Sequence, residues 1–254
     1  MRKSLITVCM CAGMLVAAMP MEASTVWSSY MSEEPNAAPE RSRGVVARMD
    51  LPEFSAIYCD VVANITIEQG DEYLIEARGP EHLVRLIEPE VSKNGTLTVK
   101  STKEYKVKKD NGISIRIVTP TIDMVYNDCV GNIHLKGTVK AEMMTVTNEG
   151  VGNITFDNLQ CEILQVINEG VGNIEFTGKV AERAVFKSDG VGNINAYNLE
   201  TPDLTADLNG VGGIECYVTQ RFTCSANGVG SIYYKGNPKQ TNIRNNGIGK
   251  VRRR

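Results

Sequence analysis

A motif of the form Gly-Val-Gly-Asn-Ile recurs through the second half of this chain and constrains its fold more than any other feature. The second glycine of the motif stands at Gly131, Gly152, Gly172, Gly192, Gly212, Gly230 and Gly249. Successive copies are separated by 21, 20, 20, 20, 18 and 19 residues. Self-similarity at such a period is the signature of a repeat architecture, in which one unit buries its apolar face only by stacking on the next.

Apolar residues occupy fixed positions relative to this glycine. The residue two positions after it is Ile in six copies and Val in the seventh, and the positions four after, six before and eight before it are mostly apolar. A spacing of two is the period of a strand with one buried face. The chain is therefore predicted to be all-β, with a parallel β-solenoid of coils of about 20 residues. Neighbouring coils would be about 4.8 Å apart, and the handedness of parallel crossovers favours right-handed winding.

The turn between coils is predicted to depend on its glycines, because glycine adopts positive φ angles at little cost. We expect the valine between the two glycines to point into the core. The following asparagines, Asn132, Asn153, Asn173 and Asn193, are expected to stack as a hydrogen-bonded ladder. Gly213, Ser231 and Lys250 replace this asparagine in the last coils, so the ladder should end there.

Residues 46–120 lack the motif but alternate between apolar and polar residues in several segments separated by turn signals, which is typical of β structure. We therefore divide the chain into a signal peptide (1–23), a flexible polar linker (24–45), an N-terminal β module that caps the solenoid (46–120), the solenoid itself (121–251) and a basic tail (252–254).

The first 23 residues have the pattern of an export signal. Arg2 and Lys3 precede an apolar run of 14 residues, which is too short to span a membrane comfortably. Cleavage is placed after Ala18 or after Ala23. No later stretch is long and apolar enough to cross a bilayer, so the mature chain is expected to have no transmembrane segment and to be periplasmic, surface-displayed or extracellular. Its formal charge of −4 argues against general nucleic-acid binding.

Five cysteines follow the predicted signal peptide, at irregular spacing. An odd count without regular spacing does not indicate a disulfide framework, even though an exported protein permits disulfides. We therefore expect most of them to be buried as small apolar residues. They are Cys59, Cys129, Cys161, Cys216 and Cys224.

The order of the N-terminal segments resembles that of a known family. The runs Val62-Ala-Asn-Ile-Thr-Ile67, Tyr73-Leu-Ile-Glu-Ala77, Gly95-Thr-Leu-Thr-Val99 and Ile115-Arg-Ile-Val-Thr-Pro120 precede the repeated Gly-X-Gly-Asn-Ile turns. Over roughly residues 50–251 the chain is similar to the head-GIN-domain family of autotransporter-like adhesins, exported β-helical proteins of Bacteroidetes. The resemblance implies a β-helical fold, a cell-envelope or extracellular location and an adhesin-like function. It brings no catalytic residues and no cofactor.

A polar column precedes the turns and is the candidate binding site. It consists of Asp128, Glu149, Glu169 and Asp189, followed by Asn209, Asn227 and Asn246. Clustered carboxylates are the ligands that Ca²⁺ prefers, but one acid per coil is sparse for a calcium site, and a solvated turn edge explains the column without metal. We therefore predict no metal and treat the four acids as a hypothetical ligand-binding column.

A second column, four positions before the key glycine, leaves two interpretations open. Its members are Asn127, Asn148, Asn168, Ser188, Leu208, Ala226 and Asn245. The asparagines would contact sugar hydroxyls if they lay on an exposed sheet. They would bond turn backbone if they belonged to the turns, which is the interpretation we favour.

Catalysis has little support in the sequence. His82 and His134 are the only histidines, and neither lies in a recognised nucleophile or metalloprotease motif. We predict a non-enzymatic envelope protein that presents a rigid β-helical surface to a glycan, protein or cell-surface ligand. A glycan-active β-helix enzyme, of polysaccharide lyase or hydrolase type, and a structural module that oligomerises are the alternatives. Tyr197, Tyr217, Tyr233 and Tyr234 are the aromatic candidates for ligand contact.

Overall fold

The computed structural model describes residues 31–33, 44–102 and 112–254. The predicted signal peptide lies outside the described residues, as does most of the predicted linker. Within the linker, the strand β1 (Met31–Glu33) pairs in antiparallel fashion with Val45–Ala47.

The described chain is almost entirely β, with strands joined in a single sheet system and one short helix. The remaining elements are β2 (Gly44–Asp50), β3 (Ala56–Asp60), β4 (Asn64–Gln69), β5 (Leu74–Pro80), α1 (Glu81–Val84), β6 (Ile87–Val91), β7 (Thr96–Ser101), β8 (Ser114–Thr119), β9 (Met124–Asn127), β10 (Ile133–Asn148), β11 (Ile154–Asn168), β12 (Ile174–Ser188), β13 (Ile194–Leu208), β14 (Ile214–Ala226), β15 (Ile232–Lys235), β16 (Gln240–Asn245) and β17 (Val251–Arg253).

Strands β10 to β14 each belong to one coil and pair in parallel with the next, which confirms the predicted solenoid. Ile133 is opposite Ile154, and the same column continues in register through Ile174 and Ile194 to the last coils. These isoleucines are at most 1% exposed. Each long strand changes direction at a register irregularity, for example between Leu135 and Thr138 in β10. The stacked columns therefore form one continuous apolar core.

The parallel register continues into the segment that we assign to the N-terminal module. β3 pairs in parallel with β9 and β4 with β10, and Ile65 is opposite Ile133. The run Val62-Ala-Asn-Ile65 thus takes the place of Val-Gly-Asn-Ile in a coil that lacks the key glycine. Antiparallel pairs, β2 with β5, β5 with β8 and β6 with β7, cover this end of the stack.

The expectation that the motif valine points into the core is wrong. The six valines and the isoleucine at this position are 48% to 74% exposed. The reason is that the two-residue alternation of the strands continues through the turn. The first glycine of the motif and the isoleucine after it face inward, so the valine between the glycines faces outward.

Six of the seven members of the column four positions before the key glycine lie in the interior, and Asn245 is exposed. Burial excludes the sugar-binding interpretation for the six. Asn127, Asn148 and Asn168 are fully buried. Asn127 Nδ2 donates to Asn148 Oδ1 (2.7 Å), and Asn148 Nδ2 donates to Asn168 Oδ1 (2.8 Å). Bonds to turn backbone complete the ladder, from the Cys129 N–H to Asn127 Oδ1 and from Asn168 Nδ2 to the Gly172 carbonyl. The favoured interpretation, that these asparagines bond turn backbone, therefore holds in part. The asparagine side chains bond one another as well as the backbone.

The asparagine ladder predicted on the turns is present on the surface. The backbone N–H of Asn153 donates to Asn132 Oδ1 (3.0 Å), and the same bond links Asn173 to Asn153 and Asn193 to Asn173. The ladder ends where predicted, with Gly213 N donating to Asn193 Oδ1. All five cysteines are buried free thiols, as expected.

Replacing a key glycine by alanine should unfold the stack, because neighbouring turns touch backbone to backbone. A Cβ on Gly152, whose φ is +148°, would lie 1.8 Å from the Gly131 carbonyl oxygen. We expect Gly152→Ala to destabilise by more than about 4 kcal/mol in denaturant unfolding. Gly137→Ala is the matched control, since it also has positive φ (+80°) but nothing lies within 4 Å. It should cost only about 1–2 kcal/mol. Equal costs would show that contact between coils is unimportant.

The buried ladder makes a second prediction about stability. Asn148→Ala removes both of its ladder bonds and leaves buried amide groups on Asn127 and Asn168 unpaired, so it should cost about 3 kcal/mol. Ser188→Ala should be neutral or stabilising within about 1 kcal/mol, because among the described residues the buried Ser188 Oγ has no hydrogen-bond partner. Chemical denaturation of the two variants measures both effects. The interpretation fails if Ser188→Ala is the more damaging change.

Candidate functional site

The four acids predicted as a binding column lie side by side on the outer edge of successive turns, and each already has a partner. Tyr58 Oη donates to Asp128 Oδ2 (3.4 Å), and Glu149 lies near enough to Tyr126 to raise the pKa of its phenol. The Lys187 ammonium contacts Asp189 Oδ2 (2.5 Å) and Glu169 Oε1 (3.7 Å). Asn209 Nδ2 donates to the other Asp189 oxygen (2.7 Å). The acids of the column therefore already interact with other side chains of the protein along the turn edge.

The two tyrosines at the start of this column are held against each other and against carboxylates. Their ring centroids are 4.9 Å apart. Partial burial and the neighbouring Asp128 raise the pKa of Tyr58 to about 12. Burial and the neighbouring Glu149 raise the pKa of Tyr126 further. Both phenols are thus neutral beside the acids.

The outward-facing valines form a continuous aliphatic row beside this column. We call it the valine row; its members are Val130, Val151, Val171, Val191, Val211, Val229 and Ile248. Each residue is about half exposed or more. The backbones of neighbouring members form parallel bridges, so the side chains follow one another at the spacing of the coils. The acidic column borders the row on one side and the surface asparagine ladder borders it on the other.

Tyrosines and cations gather on another outer face, over the last four coils. We call the group Tyr197, Tyr217, Tyr233, Lys235, Arg252 and Arg254 the tyrosine–cation patch. The Lys235 Nζ lies 4.1 Å from the Tyr197 ring centroid and 4.9 Å from that of Tyr217. The Arg254 guanidinium lies 3.7 Å from the Tyr233 centroid and donates to Glu215 Oε1 (3.1 Å). Arg252 is opposite Tyr233 in the strand register.

The patch orients Lys235 and Arg254 through ring contacts, and Arg254 is also paired with Glu215. The rings of Tyr197, Tyr217 and Tyr233 are partly exposed. A hydrogen bond with Ser231, assisted by Arg254, lowers the pKa of the Tyr233 hydroxyl. Tyr234 belongs instead to the core edge, where its ring lies 4.8 Å from that of Phe222. Three of the four aromatic candidates thus reach the surface together.

Charge is strongly segregated along the solenoid. Residues 121–215 contain five Lys and Arg against fourteen Asp and Glu, a formal charge of −9. Residues 216–254 contain eight Lys and Arg and no Asp or Glu, a formal charge of +8. The tyrosine–cation patch therefore lies at the positive end of a molecule whose middle coils are negative.

The histidines do not form a recognisable catalytic group. His82 belongs to α1. His134 Nε2 is 2.7 Å from Asp157 Oδ1, and Asp157 also accepts a bond from the Gly137 N–H. These bonds lower the pKa of Asp157. In the described part of the chain, no three His, Cys, Asp or Glu side chains are grouped in a way that would hold a metal ion.

An open concavity of about 830 Å³ lies at another corner of the coils. Its lining includes Lys140, Glu142, Gln160 and Lys179, with charges of both signs. No aromatic ring lines it. Because recognition of sugars and other flat ligands depends on ring faces, the tyrosine–cation patch is the stronger candidate site.

The family comparison agrees with this architecture. The family described as "Putative auto-transporter adhesin, head GIN domain" matches residues 53–238. The chain belongs to this family. A comparison with curated proteins found no match. None of the helices in the described residues has the length and apolar character needed to span a bilayer.

Solved structures of similar proteins have the same fold. A "putative adhesin" of Bacteroides fragilis is 30% identical, with a TM-score of 0.80, over 83% of this chain and 97% of that one. A "putative adhesin" of Parabacteroides distasonis is 19% identical, with a TM-score of 0.63, over 83% and 98% of the two chains. A "putative lipid binding protein" of the same species is 20% identical, with a TM-score of 0.59, over 82% and 96%. The last two likenesses show the fold alone.

The partners of the acidic column lead to a prediction about calcium. Because the Lys187 ammonium already contacts Glu169 and Asp189, and Tyr58 bonds Asp128, the column should not bind Ca²⁺ in the millimolar range. We expect the thermal melting temperature to be the same with 5 mM Ca²⁺ (on the order of the weakest calcium modules) and with chelator. Lys187→Met, which frees two acids, is the matched comparison. A calcium-dependent rise in the wild type would establish a metal site.

Proposed function

We propose that this protein is a non-enzymatic, exported adhesin-like protein that binds an acidic polysaccharide through the tyrosine–cation patch. One observation carries the proposal: Tyr197, Tyr217 and Tyr233 hold Lys235 and Arg254 on one outer face of the positively charged coils. Membership of the adhesin family supports a binding role, and the chemistry of the patch supports the ligand class.

The patch matches the two kinds of group that an acidic sugar presents. Partly exposed tyrosine rings offer flat apolar surface and a hydroxyl, which suits the faces and hydroxyls of sugar rings. The Lys235 ammonium and the Arg252 and Arg254 guanidiniums offer donors to carboxylate or sulfate groups. The charge of +8 over residues 216–254 attracts a polyanion as a whole.

The solenoid supports this function by holding the patch rigid. Tyr217 is opposite Lys235 in the register of neighbouring coils, and Tyr233 is opposite Arg252. Because adjacent strands are fixed about 4.8 Å apart, the side chains are ordered before a ligand arrives. Preordering reduces the entropy lost on binding, which helps a shallow surface reach useful affinity.

Export supports an encounter with surface polysaccharides. The apolar run after Arg2 and Lys3 predicts a signal peptide, and the family resemblance implies the envelope or the exterior. We propose a periplasmic or surface location on these grounds. Hydrolysis or elimination would require a carboxylate pair or a base at the patch, where Glu215 is bound to Arg254. Binding without turnover is therefore the function that we propose.

Titration with defined polysaccharides tests the proposal. Calorimetry with polygalacturonate and dextran sulfate should give binding that weakens with salt, and neutral dextran should bind at least tenfold more weakly. The double variant Tyr217→Ala, Lys235→Gln should lose about tenfold or more in affinity, since it removes a ring and a cation (about 1.4 kcal/mol per tenfold).

Lys179→Gln is the matched control, because it removes one exposed lysine at the other corner of the coils. It should bind like the wild type. Equal affinity of the double variant and the wild type would contradict the assignment of the patch. Equal affinity for neutral and acidic chains would contradict the ligand class.

A further inference from the structure

The valine row is an exposed apolar strip that the fold of one chain does not require on its surface. Seven aliphatic side chains, each about half exposed or more, follow one another from Val130 to Ile248. At about 4.8 Å per coil, the strip is on the order of 30 Å long. Soluble proteins rarely expose contiguous apolar patches larger than a few hundred Å², so a continuous strip of this length is a candidate interaction surface.

The row alone is smaller than a standard interface. A stable complex buries about 800 Å² on each partner, so the bordering polar columns must take part in any stable contact. On one side of the row these are the acids from Asp128 to Asp189 and then Asn209, Asn227 and Asn246. The column thus changes from carboxylates in its first four coils to carboxamides in its last three. A partner must complement both halves.

A second copy of the chain, turned end to end, provides this complement. Val191 is the middle member of the row, and a two-fold axis at this point brings coil one of each copy opposite coil seven of the other. Carboxylates then face carboxamide N–H donors: Asp128 faces Asn246, and Glu149 faces Asn227. The last two coils of one copy, +8 over residues 216–254, lie beside the first two coils of the other, where residues 121–160 carry two Lys against five Asp and Glu.

We propose that two copies of this protein associate in antiparallel fashion through the valine row. A parallel pair would place the two positive ends, each +8 over residues 216–254, side by side, which opposes it electrostatically. End-to-end stacking lacks charge complementarity, because residues 46–120 carry ten Lys and Arg against twelve Asp and Glu. An anionic bilayer is also a poor partner, because the acidic column borders the row.

Sedimentation analysis of the protein without its signal peptide tests association. We expect a dimer at concentrations of about 1–100 µM, the range of moderate affinity, which weakens as salt screens the charges. The triple variant Val171→Thr, Val191→Thr, Val211→Thr keeps β-branched residues in the turns and should weaken the dimer at least tenfold. Val185→Thr, an exposed valine away from the row, is the matched control and should dimerise normally.

Circular dichroism and thermal melting establish that the triple variant is folded. A wild type that is monomeric at 100 µM (a weak-affinity limit) overturns the proposal, and so does a folded triple variant that dimerises as well as the wild type. Binding of a short acidic oligosaccharide, which cannot reach two patches, should be unchanged in the triple variant, since the row and the tyrosine–cation patch share no residue. Failure of one proposal is thus distinguishable from failure of the other.

Cysteine cross-linking tests the direction of packing, since the native thiols are buried. Asp189→Cys lies beside the two-fold axis and should form a disulfide dimer with itself. Chains carrying Asp128→Cys should cross-link to chains carrying Asn246→Cys. Cross-linking of Asp128→Cys chains to Asn132→Cys chains instead would show parallel packing and overturn the antiparallel arrangement.

Discussion

The close backbone contact between successive glycine turns is the constraint on which the rest of this structure depends. The Gly172 backbone passes so near the turn below that a Cβ would lie 1.9 Å from the Gly152 carbonyl oxygen. That approach lets the valine N–H and the key glycine N–H bond the neighbouring coils, as in Val171 N to the Gly150 carbonyl. The turns fix the register, and the register then aligns every column of side chains, inside and outside.

Much of the fold was predictable because the glycine motif recurs at a nearly constant spacing, and this spacing sets the register of the coils. The isoleucine column and the end of the surface ladder at Gly213 both followed from spacing relative to the key glycine. The orientations of Val151 and Asn148 were harder to predict because the polarity of these residues does not match their exposure. The valine faces water and the asparagine is buried. Applying the strand alternation through the turn, rather than judging each residue by its polarity, would have placed both correctly.

The tyrosine–cation patch was predicted only in part, because the tyrosines were identified as candidates without the cations that they contact. Between Ala196 and Glu200 the pairing of β13 with β14 shifts, so Tyr217 is opposite Glu200 rather than Tyr197. Tyr197, Tyr217 and Lys235 nevertheless each stand five residues after a key glycine, so the spacing already places the two rings in one column with Lys235. Only the structure shows that both rings contact the same cation. The charge segregation, by contrast, is already present in the sequence.

If the protein dimerises through the valine row, each dimer carries two tyrosine–cation patches for polysaccharide binding. In an antiparallel dimer the positive coils of the two copies lie at opposite ends, so the two tyrosine–cation patches are far apart on one rigid rod. Such a rod contacts one long polysaccharide, or two different ones, at two points, and the second contact is intramolecular once the first has formed. Avidity of this kind would allow shallow surface patches, each of modest affinity, to hold an adhesin firmly on a polymer.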